Sequence, residues 1–163
     1  MLFVFTTFFY IFVENLKRNI MQVFIIGSPL DTAKALDRRR LNKQIIECRQ
    51  ILNAINGKTK SWANHPCTIQ YKEYRDWLEA YLTCLEYYVE YLKGDKHIIL
   101  DAYVASEICV LTKPNFHTQE YFDNMKKRLY TKDHSHYKQF EVLGESYENW
   151  YWVDNKWKIY KQK

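Results

Sequence analysis

The sequence predicts a mainly α, compact single-domain helical fold with a short N-terminal strand or arm and a C-terminal β-hairpin. The 163 residues suit one domain and include only 4 Gly and 3 Pro, which favours long helices joined by few tight turns. Hydrophobic residues make up 47% and aromatic residues 17% of the chain, which suits a buried core and excludes a disordered chain. Apolar residues also recur at helical spacing over long stretches.

The first elements of the domain are predicted to be an arm and two long helices. The apolar run "QVFIIG", residues 22–27, ends in glycine and is typical of a short strand or an extended arm. A helix should follow over about residues 31–55, closed by Gly57, and a second should run from about residue 68 to residue 93 and stop at Gly94. The predicted buried stripes are Leu41, Ile45, Cys48, Leu52 and Ile55 on the first helix, and Trp77, Tyr81, Cys84, Tyr88 and Tyr91 on the second.

The later elements are shorter. A third helix is predicted over about residues 96–110, because Pro114 breaks the pattern soon afterwards, and another short helix should begin at Thr118. Near the end, "NWYWVDNKWKIY" alternates around Asp154 and Asn155, which predicts a β-hairpin with a tight turn.

Residues 1–20 form a separate segment. Its apolar run, residues 2–13, is shorter than the ~20 residues that a membrane-spanning helix needs, and no positive region precedes it as in a signal peptide. We expect an N-terminal extension before a domain that spans residues 21–163, and we do not expect membrane contact. Because Lys17 and Arg18 follow the run, a short membrane anchor is the alternative.

Charge and motifs restrict the function classes. A net charge of +5 permits a nucleic-acid partner without demanding one. The four cysteines include no C-x-x-C pair, which disfavours a zinc ribbon and favours buried free thiols in a reducing compartment. Phosphate-loop, dinucleotide-binding, zincin and hydrolase-elbow motifs are absent, so no cofactor and no metal is predicted.

The stretch "LDRRRLNKQIIECRQIL", residues 36–52, has a dense cationic start. Only two carboxylates, Asp37 and Glu47, accompany its cations, which include Arg38, Arg39, Arg40 and Lys43. Helical spacing places Arg40, Lys43 or Gln44, and Glu47 along one side. This side is either a surface for a polyanion, with Glu47 as a carboxylate that moves a proton or stabilises positive charge, or an ordinary solvated face with Lys43 and Glu47 as an ion pair.

Two further clusters could contact nucleic acid. In the loop "WANHP", Trp62 could stack on an exposed base and His65 could bind a phosphate, or both could hold the loop to the core. In "NMKKRLYTKDHSHYKQF", residues 124–140, cations alternate with aromatic residues, as suits a phosphate backbone and unstacked bases. His134 and His136 form only a weak metal motif, because no matched ligand cluster accompanies them.

Three segments together resemble the pyrimidine-dimer DNA glycosylase family, the endonuclease-V-like excision fold. They are "MQVFIIGSPLDTAKALDRRRLNKQIIECRQILNAI", "WANHPCTIQY" and "RLYTKDHSHY", in this order, and they are most similar to the uncharacterised bacterial and viral branch. The resemblance covers most of residues 21–137. It implies a largely helical domain that binds damaged duplex DNA and displaces a nucleotide, at a cost of a few kcal/mol.

The family's chemistry implies two groups that this chain lacks at the matching positions. In the characterised branch an N-terminal α-amine attacks the sugar carbon to form an imine, a nearby glutamate assists, and β-elimination cuts the strand. Here Met21 and Gln22 stand at the family-like start, and Arg40 aligns with the glutamate. Glu47 is the nearby substitute for the carboxylate, and Lys43 is an alternative imine-forming amine.

These patterns and the resemblance predict a base-excision enzyme, a pyrimidine-dimer-type DNA glycosylase with AP lyase as an associated activity. The alternatives are an inactive nucleic-acid-binding domain of the same fold and a membrane-tethered interaction domain. We expect a cytoplasmic monomer, or one in the host cytoplasm or virion if the source is viral, that binds double-stranded DNA with a damaged or flipped base. The predicted catalytic residues are Glu47, Lys43 and His65, and the predicted DNA-binding residues are Arg38, Arg39, Arg40, Gln44, Trp62, Asn64, Lys126, Lys127, Arg128 and Lys132.

Overall fold

The structure is a computed structural model that describes residues 21–153 and 156–161, with side chains described for residues 21–147. The predicted extension, residues 1–20, lies outside the described residues. In the part that is described, no helix is both long and apolar enough to cross a membrane. The α-helices are α1 (Pro29–Ala35), α2 (Arg38–Ile55), α3 (Pro66–Tyr71), α4 (Arg75–Lys93), α5 (Ile99–Leu111) and α6 (Gln119–Lys132), and the 3-10 helices are Lys72–Tyr74, Lys96–Ile98 and Lys138–Leu143.

The predicted helix over residues 31–55 is in fact two helices. Ser28 caps α1, and its hydroxyl accepts a hydrogen bond from the backbone N–H of Asp31. Leu36 ends α1 in an extended conformation, and Asp37 then caps α2 by accepting from the backbone N–H of Arg40 at 3.0 Å. The three arginines are therefore the first turn of a new helix.

Of the two forms predicted for the N-terminal segment, a short strand or an extended arm, the structure shows the arm. Residues 21–26 are buried, but they pair with no strand. Side chains satisfy the backbone instead: Gln44 bonds to the N–H of Phe24 at 2.7 Å and to the carbonyl of Gln22 at 2.5 Å, and Tyr81 donates to the carbonyl of Phe24 at 2.6 Å. A buried arm, residues 21–26, thus runs through the domain without a sheet, because its polar groups find side-chain partners.

Helix α4 is the centre of the body. It packs against α1, α2 and α5, and Trp77, Tyr81 and Cys84 of its predicted stripe are buried. The Trp77 and Tyr81 rings stack with centroids 5.3 Å apart. Gly94 ends the helix in a left-handed conformation, φ 115°, as the sequence predicts. The four cysteines are buried free thiols.

The predicted fold class therefore needs correction in its β content. The helical body, residues 21–147, contains no β-strand. Beyond it, β1 (Glu148–Val153) and β2 (Lys156–Lys161) pair antiparallel, with Trp152 opposite Trp157, and are described for the backbone alone. The intervening residues Asp154 and Asn155, where the sequence predicts the turn, are outside the described residues.

Candidate nucleic-acid interface and active site

The start of α2 is fixed by a residue 100 positions later in the chain. The Tyr137 hydroxyl donates to Asp37 Oδ2 at 2.7 Å and accepts from the backbone N–H of Asp37 at 3.1 Å. Tyr137 is fully buried, so it joins the loop after α6 to the cap of α2. Two of the three segments that carry the family resemblance therefore meet at this point.

Arg40 closes the same cluster. Its guanidinium forms an ion pair with Asp37, donates from Nη2 to the carbonyl of Lys132 at 3.2 Å, lies 3.8 Å from Asp133, and stands 5.3 Å from the centroid of the Tyr137 ring. We call Asp37, Arg40, Asp133 and Tyr137 the closed cluster. These contacts hold the Arg40 guanidinium in a structural network, and its role as a DNA ligand stays a prediction.

The closed cluster stabilises the ionised form of Asp37. Burial by itself would raise the pKa of this carboxyl, but hydrogen bonds from Tyr137 and Arg40 outweigh it and lower the pKa to about 2. By contrast, Arg38 and Arg39 are exposed, and neither forms an ion pair within the part of the chain that is described. The triple arginine is thus divided between two free cations and one paired cation.

Three turns along α2, a second carboxylate lies beside the arm. Glu47 is buried, with 7% of its surface exposed. Its Oε2 accepts from Gln44 Nε2 at 2.9 Å, its Oε1 lies 3.5 Å from Lys43 Nζ, and the backbone of Gln22 hydrogen-bonds to it. Gln44, which is also buried, therefore holds both the arm and the carboxylate, and it is not an exposed DNA ligand as predicted.

The environment of Glu47 shifts its proton affinity in the opposite direction from that of Asp37. Burial raises the pKa of Glu47, and the opposing contributions of Lys43, Gln22 and Gln44 are smaller. A carboxyl with a raised pKa can hold a proton and release it, which is the property of a general acid/base.

Two cations of α6 face the same arm. Arg128 and Lys132 are four residues apart and share a face of the helix. The Arg128 guanidinium lies 5.9 Å, and the Lys132 amine 6.0 Å, from the centroid of the Phe24 ring. Arg128 is 5% exposed, and its Nη1 has no hydrogen-bond partner within the described residues. We call Glu47, Lys43, Arg128 and Lys132 the open cluster, since its cations outnumber its carboxylates.

Desolvation lowers the affinity of both α6 cations for their protons. Burial lowers the pKa of Arg128 to about 10. Lys132 is exposed as a residue, but partial burial of its amine, together with the charges of Arg128, Lys43 and Arg40, lowers its pKa to about 8. The prediction that Arg128 lies on the basic surface needs correction. Arg128 is buried and faces the interior of the domain, so it cannot extend the surface that contacts the DNA backbone.

The "WANHP" loop leads into α3, which contacts the start of the arm. His65 caps α3, with its Nδ1 accepting from the backbone N–H of Cys67 at 3.2 Å, so a neutral His65 carries its proton on Nε2. Cys67 in turn donates to the carbonyl of Met21 at 3.0 Å. Trp62, at φ 68°, packs on the core and meets His65 edge-on at 5.2 Å, whereas Asn64 is exposed.

The remaining predicted residues do not join the open cluster. Lys126 forms an ion pair with Asp123 at 3.2 Å, and Lys127 lies on a different face of α6 from Arg128 and Lys132. His134 pairs with Glu145 at 2.6 Å. Among the residues that the structure describes, no group of three or more His, Cys, Asp or Glu side chains is placed to hold a metal ion.

Sequence reasoning missed the residues that organise the site. Tyr137 is not among the predicted site residues, although it ends the segment "RLYTKDHSHY" that contributes to the resemblance. The arm is one of the two forms that the sequence predicts, but no local pattern shows that Gln22 contacts Glu47. The cap at Asp37, directly before three polar residues, had a readable signal, since Asp is a preferred N-cap residue.

The fold and the site define a helical domain with a cationic surface beside a buried carboxylate, a combination suited to binding a polyanion and moving a proton. A family model described as pyrimidine dimer DNA glycosylase matches residues 21–92. The predicted resemblance is thereby confirmed over the arm, α1 to α3 and nearly all of α4. The chain has no significant match among curated proteins or solved structures.

Proposed function

We propose that the protein is a DNA-repair enzyme, a pyrimidine-dimer-type DNA glycosylase with an associated AP lyase step. The observation that carries the proposal is the open cluster, in which a buried glutamate with a raised pKa contacts Lys43 and interacts electrostatically with Lys132. The match of residues 21–92 to a pyrimidine dimer DNA glycosylase model supports DNA as the polyanion.

Phosphate binding is assigned to the exposed cations of α2. Arg38 and Arg39 lie in the first turn of the helix, where the helix dipole adds to their positive potential, and Lys43 follows one turn later. These contacts would offset the few kcal/mol that displacing a damaged nucleotide costs. His65 Nε2–H would donate to a phosphate or sugar oxygen, and the exposed edge of Trp62 and the Asn64 amide would contact the displaced base.

Glu47 is assigned the proton-transfer role. When the bond between the sugar and the base breaks, positive charge develops on the sugar, and a carboxylate stabilises it. In its protonated form Glu47 could instead donate to a leaving group, and in its ionised form it could accept a proton from the sugar during β-elimination. The contacts from Gln44 and the Gln22 backbone keep the carboxyl in one position for either step.

The test is incubation of the full chain with duplex DNA that contains a pyrimidine dimer, and separately with duplex DNA that contains an abasic site. Cleavage of a sugar–base bond at the dimer, detected as an alkali-labile site in the strand, would support the glycosylase assignment, and strand cleavage with a borohydride-trapped adduct would support the lyase step. Undamaged duplex is the control. Intact DNA in both reactions, at protein concentrations that bind it, would overturn the enzymatic proposal.

One observation favours a second candidate, a DNA-binding domain without turnover. Arg40 aligns with the glutamate of the characterised family members, and here it is committed to the closed cluster. This candidate predicts salt-sensitive binding that Glu47→Gln leaves unharmed and no product from any damaged duplex.

A further inference from the structure

Lys132 stands where the closed and the open clusters meet. It is the last residue of α6, and its backbone carbonyl accepts from Arg40 Nη2 at 3.2 Å, which fixes the main chain at that point. Its amine reaches back over the Phe24 ring at 6.0 Å, on the arm that Glu47 also contacts through Gln22. The backbone is therefore held by one cluster while the amine is presented to the other.

The Lys132 amine differs from the neighbouring lysines in its partners. Lys43 Nζ is engaged with Glu47 at 3.5 Å, and Lys126 Nζ with Asp123 at 3.2 Å. Lys132 forms no ion pair within residues 21–147, although Glu47 is close enough to interact electrostatically with it. It is also exposed, so a ligand can reach it.

We propose that Lys132 is the amine that forms the imine with the sugar of an abasic site. The inference rests on the proposed function and deepens it, because it names the nucleophile that the missing family-type α-amine leaves open. It also replaces Lys43, which the sequence suggested for this role.

The protonation state supports the assignment. An amine attacks a carbonyl carbon only when it is neutral, and an ordinary lysine with a pKa near ~10.4 is almost fully charged at neutral pH. With the pKa lowered to about 8, roughly a tenth of Lys132 is neutral at pH 7. The groups that set this balance are Arg128, Lys43 and Arg40, which lower the pKa, and Glu47, which raises it.

The step balances without an external oxidant or reductant. Neutral Nζ adds to C1′ of the ring-opened sugar aldehyde, and loss of water, with one proton taken up from the solvent, gives the protonated imine. The Glu47 carboxylate removes a proton from C2′, the C3′–O bond breaks, and its electron pair leaves with the 3′ phosphate. Water then hydrolyses the imine, which returns the Lys132 amine and releases an unsaturated aldehyde on the 5′ side of the break.

The experiment is borohydride trapping of the full chain on an abasic-site duplex, followed by peptide mapping of the adduct. We expect the adduct on the peptide that contains Lys132, no adduct with Lys132→Ala or Lys132→Arg, and unchanged trapping with Lys93→Ala, which changes an exposed lysine at the end of α4. Lys132→Ala should fold, because Arg40 bonds to the backbone of residue 132 and not to its side chain. Trapping by the parent chain should also increase as the pH rises through about 8.

The outcomes separate this inference from the proposed function. An adduct that maps to Lys43 or to an α-amine, or one that persists in Lys132→Ala, would overturn the role of Lys132 and leave the lyase activity standing. An alkali-labile site in a dimer duplex without any adduct would overturn the imine step alone. No alkali-labile site, no cleavage and no adduct would overturn both proposals.

Discussion

The closed and the open cluster each contain a carboxylate of the α2 region, and the pairing of charges around these two carboxylates shifts their pKa values in opposite directions. Asp37 and Glu47 are ten residues apart on this helix, about 15 Å along its axis. At Asp37, a guanidinium and a tyrosine hydroxyl meet the carboxylate, and its pKa falls to about 2. At Glu47, burial prevails and the pKa rises.

This difference separates the charges that stabilise the fold from the charges that are available for chemistry. In the closed cluster, each charged group has a partner of opposite sign, as expected of a structural network. In the open cluster, Arg128 Nη1 has no hydrogen-bond partner among the described residues. Lys132 forms no ion pair among them either. Unpaired charges that are partly buried cost free energy, and such sites are candidates for function.

The largest expected effect is on catalysis at the open cluster. Glu47→Gln should lower the rate of damaged-base excision by about 10³-fold, within the range for loss of a general acid/base, because glutamine keeps the shape but cannot exchange a proton. Single-turnover kinetics on a dimer duplex measures it. Glu86→Gln, which changes a carboxylate paired with Arg49 at 2.7 Å, is the matched control and should keep the parent rate. Equal rates for both variants would remove Glu47 from the mechanism.

The next effect is on stability at the closed cluster. Arg40→Ala should lower the free energy of unfolding by about 3 kcal/mol, because it leaves Asp37 half-buried without its cation and removes the bond to the Lys132 carbonyl. Urea unfolding measures it. Arg39→Ala, an exposed neighbour, should stay within about 0.5 kcal/mol. A stable Arg40→Ala variant with weakened DNA binding would reverse the roles given to these two arginines.

A smaller effect is expected in the pH dependence of stability. The pKa of Asp37 is lowered from 3.8 to about 2 on folding, so its contribution of about 2 kcal/mol is present above pH 4 and is lost as the pH falls through about 2. Asp37→Asn should remove this contribution. The unfolding free energies of the parent chain and the variant should therefore converge between pH 4 and pH 2, and parallel curves over that range would contradict the account.

The smallest effect is on binding by the exposed arginines. Arg38→Ala and Arg39→Ala should each reduce the slope of log affinity against log salt by about 1, since each removes one phosphate contact. Fluorescence anisotropy with a dimer duplex at several salt concentrations measures it. Lys93→Ala, at the C-terminal end of α4, is the control, and a slope change as large for this variant would mean that the protein binds DNA without a defined orientation.

Much of the helical framework could be predicted from the sequence, because it rests on local signals. The Trp77–Tyr81–Cys84 stripe and the stop at Gly94 follow from spacing and from the left-handed conformation that glycine accepts. The break at Leu36 was missed, although Asp37 is a good cap, because the apolar spacing runs on through both helices.

The candidate site could be predicted only in part. Glu47 and Lys43 were identified because they are four residues apart on one helix. The closed cluster was not, since Asp37 and Tyr137 are 100 residues apart and only the folded chain brings them together. Lys132 is predicted as a DNA-binding residue, but its lowered pKa could not be predicted, because it depends on cations from two helices. The division of the chain at residue 21 and the roles of the site residues stay predictions.

The most direct measurement of the central claim is lysine footprinting, in which mass spectrometry follows the acylation of each amine with and without DNA. If damaged DNA binds at the open cluster, a dimer duplex should protect Lys43 and Lys132 strongly and leave Lys93 reactive. Protection of Lys93 equal to that of Lys43 and Lys132, or no protection of these two at a concentration that saturates binding, would contradict the account.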